Sequence, residues 1–190
     1  MPILSGSSGA SCASLREHYA VIEPADGAGS VTDSVMRAAA QVGTRTEDAV
    51  LGGRPCPTFR RSDFRVAWVA TRMHTFIYVL DLTAGSHVPP PDLAQEARVW
   101  ARDHKGGLPG GMQTGSTAMP VFIVPEVNSA RAWAESRQPA MFAVGLFPIA
   151  VRADGRQVAY RRKSQFVGFV YERFRRSLAS ALVGGLAPDL

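Results

Sequence analysis

Residues 103–127 read DHKGGLPGGMQTGSTAMPVFIVPEV and carry the clearest signal of the fold. Its first half packs five glycines into one connection: Gly106, Gly107, Gly110, Gly111 and Gly115. The chain then enters AMPVFIV at 118–124, and a continuous apolar run of this kind is typical of a strand buried on both faces of a sheet. The segment therefore predicts a turn that delivers the chain from a helix into a central strand.

A helix precedes the glycine-rich connection. Asp92 is its predicted N-cap, and Gly106 is its predicted C-terminal stop. Its apolar face is expected to carry Leu93, Ala97, Trp100 and His104. Further upstream, Ser30 and Asp33 have the spacing of a capping box, which predicts a helix that ends at Gly43.

A hairpin is expected between these two helices. The alternation at 64–71 and the apolar run Thr75–Leu82 predict two strands, with the turn between them at Met73 and His74. Residues 43–62 are rich in glycine and proline and are predicted to form a surface loop. Near the N-terminus, the pattern leaves open whether Tyr19–Glu23 is part of a helix or a strand.

After the central strand the pattern predicts a helix, a hairpin and a closing helix. Asn128 is the predicted cap of the first helix, and residues 141–152 read as a strand interrupted at Gly145 and Pro148. Asp154-Gly155 is a strong two-residue hairpin signal. The last helix is expected to begin near Ser164, with an apolar stripe formed by Phe166, Val170, Phe174, Leu178 and Ala181.

These elements predict an α/β fold on the border with α+β. We expect a single mixed sheet in the order β-β-α-β-α-β-β-α after an N-terminal helical segment, with parallel strands in the middle. Residues 1–10 are small and polar and are expected to be disordered, whereas 11–190 are expected to form a single domain.

Composition restricts the class of protein. The longest mostly apolar run, 140–151, is too short to cross a bilayer, and the N-terminus lacks a secretory signal, so we expect a cytoplasmic protein without a membrane span. Cys12 and Cys56 have no metal-ligand spacing, and each is expected to be a buried free thiol. The net charge of +5 is concentrated between Arg152 and Arg176. This asymmetry allows an anionic ligand or nucleic acid as partner.

The predicted topology sorts the candidate site residues onto two edges of the sheet. The edge that contains the glycine-rich connection is basic, and its candidate anion-binding residues are Arg72, His74, Lys105, Arg161, Arg162 and Lys163. Gly110 and the run Gly115-Ser116-Thr117 imitate a phosphate-binding loop. The lysine of that motif is missing, and the chain continues into a strand instead of a helix.

The opposite edge is acidic. Asp81 and Glu126 end neighbouring strands, Asp63 is expected beside the end of the second strand, and Asp154 and His87 are expected close by. Asp63, Asp81 and Glu126 are candidate catalytic residues, as metal ligands or as an acid–base pair. A nuclease of the restriction-endonuclease type places acids similarly, but its lysine two residues after the second acid is absent here.

The run GLPGGMQTG, followed by the apolar strand and the helix-hairpin-helix end, resembles uncharacterised actinobacterial proteins of similar length. The resemblance covers about the last two-thirds of the chain and implies a bacterial protein but no activity, so it assigns no functional residue. Two functions follow from the residues themselves. The first is a non-catalytic binding or regulatory module for an anionic partner, with assembly into a homo-oligomer left open and no cofactor. The second is a small metal-assisted hydrolase that uses the acids and a divalent cation.

Overall fold

The computed structural model describes residues 30–65, 71–86, 89–107, 114–138, 144–162, 169–184 and 186. Its helices are α1 (Val31–Val42), α2 (Pro90–His104), α3 (Asn128–Glu135) and α4 (Phe169–Val183). The longer strands are β4 (Thr58–Arg65), β5 (Thr71–Asp81) and β6 (Thr114–Val124). The shorter strands are β1 (Thr44–Arg45), β2 (Ala49–Leu51), β3 (Arg54–Cys56), β7 (Val144–Leu146), β8 (Ile149–Arg152) and β9 (Val158–Ala159).

Strand β6 is the centre of the sheet, as its apolar sequence predicts. All of its residues are buried, and it pairs in parallel with β5 on one side and with β7 and β8 on the other. The order of the main sheet is β1-β4-β5-β6-β8-β9, with antiparallel partners at both ends. The predicted α/β class, the mixed sheet and the parallel centre are therefore confirmed. A separate two-stranded sheet, β2–β3, was not predicted.

The two faces of the sheet pack against different helices because side chains alternate along each strand. On β5, Ile77 and Val79 belong to the core formed with α1 and α4, whereas Phe76 and Tyr78 belong to the core formed with α2 and α3. The Tyr78 hydroxyl donates a 3.0 Å hydrogen bond to the carbonyl of Ala97 on α2. We call these two surfaces the α4 face and the α2 face.

The predicted turn at Met73-His74 is wrong, because both residues lie inside β5. Strand β4 begins at Thr58 and pairs with β5 from Tyr78 to Thr71, so the connection between them falls in 66–70, outside the described residues. The residues 43–62, predicted to be a loop, contain β1, β2, β3 and the start of β4. The loop prediction relied on the glycine and proline content of this segment, but Gly52 and Gly53 form only the tip between β2 and β3.

Helix ends agree with the sequence in part. The Ser30–Asp33 capping box is present in full, and Gly43 ends α1. Helix α2 begins earlier than predicted, since Pro89 is its N-cap and Asp92 lies in the first turn instead of at the cap. Proline suits this start because its fixed φ and missing N–H cost nothing there. In the same way Val127, not Asn128, occupies the N-cap position of α3.

The C-terminal third follows the predicted hairpin. The strand at 141–152 is divided at Phe147-Pro148 into β7 and β8, both of which pair with β6, while 141–143 lie outside the described residues. Gly155 has φ +73° in the turn between β8 and β9, which glycine adopts without strain. The cap near Ser164 lies outside the described residues. On α4 the predicted Ala181 is exposed, and Leu182 and Val183 are buried instead.

Among the described residues, no helix is long and apolar enough to cross a membrane. The predictions for residues 1–10 and for the N-terminal helical segment, including Tyr19–Glu23 and Cys12, lie outside the described residues. Cys56 is buried as predicted, and burial raises the pKa of its thiol to about 12. Its Sγ lies 3.3 Å from the carbonyl oxygen of Val79, so this thiol is not an activated nucleophile.

Candidate functional site

A polar row crosses the α2 face near the start of the parallel strands. Ser62 of β4, His74 of β5 and Ser116 of β6 are partners in register and lie side by side. One step away along the strands are Arg60 and Arg72, and the end of α2 adds Lys105. We call these six residues the His74 cluster.

His74 is only 6% exposed and is held at one ring nitrogen. Its Nδ1 lies 2.7 Å from the Ser62 hydroxyl and 3.1 Å from Nη2 of Arg60. A guanidinium can only donate, so Nδ1 must accept, and in the neutral ring the proton is on Nε2. The strand register thus fixes both the position and the tautomer of this imidazole.

The surroundings of His74 strongly disfavour a positive charge. Burial lowers the pKa of His74, and the charges of Arg60, Arg72 and Lys105 lower it further, to about 4. All three charged groups that act on this pKa are cations from different parts of the fold: β4, β5 and the end of α2. At neutral pH the imidazole is therefore uncharged, and the cluster has a local excess of positive charge.

Part of that positive charge closes the C-terminus of α2. Nη2 of Arg60 donates a 2.6 Å hydrogen bond to the carbonyl of Lys105, where the helix dipole is negative. Gly106 and Gly107 follow with φ of +66° and +71° and turn the chain away from the helix. Two buried polar atoms of the cluster have no hydrogen-bond partner among the described residues, Nε of Arg60 and the hydroxyl of Ser116. The cluster thus has hydrogen-bonding capacity that described protein groups do not use.

The described residues of the predicted basic edge lie on both faces of the sheet. Arg72, His74 and Lys105 come together on the α2 face. Arg161 lies on the α4 face instead, where its guanidinium pairs with Glu172. Arg162 is exposed, with its guanidinium carbon 5.6 Å from the centre of the Tyr160 ring. Lys163 lies outside the described residues, so the six predicted anion-binding residues do not form one described site.

The position predicted for Asp63 is wrong. Asp63 pairs in register with Met73, at the opposite end of β5 from Asp81. Eight residue steps at roughly 3.3 Å each separate Met73 from Asp81, which corresponds to about 26 Å. The Asp63 carboxylate accepts hydrogen bonds of 2.8 and 2.9 Å from Arg61. The error follows directly from the misplaced turn between β4 and β5.

The remaining acids do end strands as predicted, but each has its own local role. Asp81 accepts hydrogen bonds from the hydroxyls of Thr32 and Thr83, both 2.6 Å, and from the Thr83 amide at 3.0 Å. Partial burial would raise the pKa of Asp81, yet these hydrogen bonds hold it below its ordinary value. Glu126 is exposed after β6.

Asp154 lies in the β8–β9 turn and pairs with Arg152. Hydrogen bonds from the Arg152 side chain and the Arg156 amide lower the pKa of Asp154 to about 2. His87 lies outside the described residues. Within the ranges that the structure describes, no group of three His, Cys, Asp or Glu side chains is placed to hold a metal ion.

Sequence reasoning missed three members of the His74 cluster: Arg60, Ser62 and Ser116. Arg60 and Ser62 fall in the segment predicted to be a loop, and Ser116 was considered only as part of a phosphate-loop imitation. A signal was nevertheless present, because Arg60, Ser62 and Phe64 alternate with Phe59, Arg61 and Asp63 at the period of a strand.

Comparison with protein-family models, with curated proteins and with solved structures finds no match to this chain.

Proposed function

We propose that the protein is a non-catalytic binding or regulatory module that recognises an anionic, phosphate-bearing ligand at the His74 cluster. The observation that carries the proposal is the buried, neutral His74 with Arg60, Arg72 and Lys105 acting on it. Three cations close to one buried ring favour a bound anion, because each of them interacts favourably with negative charge at reduced dielectric. The cytoplasmic location, the bacterial origin and assembly into a homo-oligomer are part of this proposal.

The donors available in the cluster suit a phosphate group. Arginine presents a planar fork of N–H donors, and charge-assisted hydrogen bonds to phosphate are stronger than neutral ones. Arg72 is exposed and can reach a ligand in solvent, while Nε of Arg60 and the hydroxyl of Ser116 supply buried donors without a described partner. Neutral His74 adds an N–H donor at Nε2, as its accepting Nδ1 requires.

The same geometry argues against catalysis at Ser62. The 2.7 Å contact between the Ser62 hydroxyl and His74 has the length of a nucleophile–base hydrogen bond. However, a base that takes the serine proton becomes an imidazolium, and here it would form beside three cations. A pKa of about 4 is also far from the operating pH at which a general base is effective. Binding is therefore the role that the cluster supports.

The metal-assisted hydrolase has no comparable support. Its candidate Asp81 ends β5, whereas Asp63 of β4 lies beside the opposite end of β5 and pairs with Arg61. No structural observation favours this second function over binding.

Pyrophosphate titration by calorimetry tests the proposal. We expect saturable binding that weakens as the salt concentration rises from about 50 mM to about 200 mM, because the contact is electrostatic. Arg72→Gln and Arg60→Gln are each expected to weaken binding about tenfold or more, since each removes a charge-assisted hydrogen bond. Arg72→Gln is the cleaner variant because Arg72 is exposed, whereas Arg60 also closes α2.

Arg37→Gln is the matched control. Arg37 is an exposed arginine on α1, and among the described residues its guanidinium donates only a local hydrogen bond to Ser34, at 3.1 Å. The Arg37→Gln variant removes the same charge from a different face of the protein and should leave the pyrophosphate affinity unchanged. The proposal fails if pyrophosphate does not bind, or if all three variants weaken binding equally. A labelled single-stranded oligonucleotide measured with the same variants tells whether nucleic acid uses this site.

A further inference from the structure

A second concave site lies at the other end of β5. Strand β4 begins at Thr58, opposite Tyr78, so the last residues of β5 extend beyond their antiparallel neighbour. The β2–β3 hairpin stands beside this exposed end and is attached to α2, because the Gly52 amide donates a 2.6 Å hydrogen bond to Glu96. The space between hairpin, strand end and α2 is a cleft of about 260 Å³.

The walls of the cleft are mostly apolar. Leu51 and Pro55 contribute from the hairpin, Val79 and Leu80 from β5, and Leu93 from α2. Leu51, Val79, Leu80 and Leu93 are largely buried and belong to the two cores, so the walls are held by packing from both sides of the sheet. Small-molecule sites have this character, with apolar walls and a few polar groups that orient the ligand.

Two charged side chains, those of Arg54 and Asp81, line the cleft, and they differ in their hydrogen bonding. Arg54 of β3 is exposed, and its guanidinium makes no hydrogen bond or ion pair with any residue that the structure describes. The Asp81 carboxylate, by contrast, already accepts three hydrogen bonds from Thr32 and Thr83. The cation is thus the charge available to a ligand, while the carboxylate is a fixed negative group on the wall.

We propose that this cleft binds a small monocarboxylic acid with an apolar body, such as an aryl-substituted or short aliphatic acid. The ligand carboxylate pairs with Arg54, and its apolar part lies against Leu51, Val79 and Leu93. A guanidinium and a carboxylate match as two parallel hydrogen bonds. The cleft is slightly smaller than the roughly 300 Å³ at which drug-sized sites begin, so the apolar part is about one ring or a short chain.

Asp81 adds a specificity element to this site. A ligand with a second carboxylate would bring negative charge toward Asp81, whose own charge is stabilised by the surrounding hydroxyls. Like charges at close range are unfavourable in a partly desolvated cleft. The site therefore selects monocarboxylates over dicarboxylates. This inference is independent of the His74 cluster, which lies at the opposite end of β5.

Titration of the full-length protein with 4-phenylbutyrate, followed by two-dimensional amide NMR, tests the inference. We expect saturable shifts concentrated at the β2–β3 hairpin and at the end of β5. Arg54→Gln should weaken binding about tenfold or more, as should replacement of the ligand carboxylate by its neutral amide. Arg54 is exposed and unpaired among the described residues, so this variant is expected to fold normally.

Arg37→Gln and Arg72→Gln are the matched controls, since both remove an exposed arginine elsewhere, and both should bind 4-phenylbutyrate as the native protein does. Phenylsuccinate, which carries a second carboxylate, should bind several-fold more weakly than 4-phenylbutyrate. Absence of saturable shifts overturns the inference, and so does equal affinity of Arg54→Gln and the native protein. Because pyrophosphate is measured with Arg72→Gln and phenylbutyrate with Arg54→Gln, failure at one site is distinguishable from failure at the other.

Discussion

Replacing Glu172 by glutamine is expected to destabilise the protein by about 3–5 kcal/mol, the usual cost of breaking a buried ion pair from one side. Glu172 lies on α4 and is only 4% exposed. Its Oε1 accepts from Arg161 and, at 3.3 Å, from Nη1 of Arg175. Glutamine keeps the shape but removes the charge, so two largely buried guanidinium groups lose their compensating carboxylate.

The surroundings leave little room for Arg175 to relax. Its Nε donates a 3.2 Å hydrogen bond to Thr117 on β6. Beneath it Gly145 on β7 has no side chain, and a Cβ at that position would overlap the guanidinium of Arg175. Burial lowers the pKa of Arg175, and the carboxylate of Glu172 opposes this effect. Without that carboxylate, the free-energy cost of burying the Arg175 guanidinium is no longer offset.

Urea denaturation at neutral pH measures this effect. Glu135→Gln is the matched control, because Glu135 forms an exposed i,i+4 pair with Arg131 at 3.4 Å. Such pairs contribute only about 0.3–0.5 kcal/mol. We expect the two variants to differ by several kcal/mol, and equal destabilisation would contradict a structural role for the buried Arg161–Glu172–Arg175 group.

The second large effect is a loss of stability in mild acid that originates at His74. Its pKa is lowered from 6.5 to about 4 in the folded protein by burial and by Arg60, Arg72 and Lys105. Between these two values the unfolded chain binds the proton and the folded chain does not, so acid favours unfolding. The stabilisation is complete above pH 6.5 and is lost as the pH falls toward about 4. The full difference corresponds to roughly 3 kcal/mol.

Thermal or urea unfolding across this pH range provides the measurement. His74→Gln should flatten the stability profile between pH 6.5 and 4, because glutamine can still accept from Arg60 but does not titrate. Arg37→Gln is the control, since Arg37 is exposed on α1 and lies on the opposite face of the sheet from His74, and its profile should match that of the native protein. The lowered pKa values of Asp81 and Asp154 remove stability mainly below about pH 5, so the change between pH 6.5 and about 5 is free of their contribution. An unchanged slope in His74→Gln would contradict the proposed environment of His74.

The sequence predicted those features that depend on local chemistry. Three of these features can be predicted from a few neighbouring residues: the apolar run of β6, the Ser30–Asp33 capping box and the Asp154-Gly155 turn. The position of the β4–β5 turn could not be predicted from a few residues. Neither β4 (Thr58–Arg65) nor β5 (Thr71–Asp81) contains a glycine or proline that would mark a turn. Their register is determined by pairing across the sheet and by burial.

The positions of the candidate site residues were predicted correctly where strand direction determines them and wrongly where the β4–β5 register determines them. His74, Arg72 and Lys105 were placed on the correct edge because parallel strands sort their ends. Asp63 was placed on the wrong edge, and Arg60 was missed, because both depend on the β4–β5 register. The positive charge concentrated between Arg152 and Arg176 is also not all on the surface. Arg175 points inward to Glu172 and Thr117, a pairing that no local pattern records.

Anion binding at the His74 cluster is tested by the pKa of His74 itself, measured by NMR with and without pyrophosphate. A bound anion offsets the charges of Arg60, Arg72 and Lys105, so protonation becomes easier. The free protein is expected to titrate at about 4. With saturating pyrophosphate we expect a pKa above about 5, because an opposite charge at close range favours the imidazolium. The same pKa with and without pyrophosphate would contradict the account.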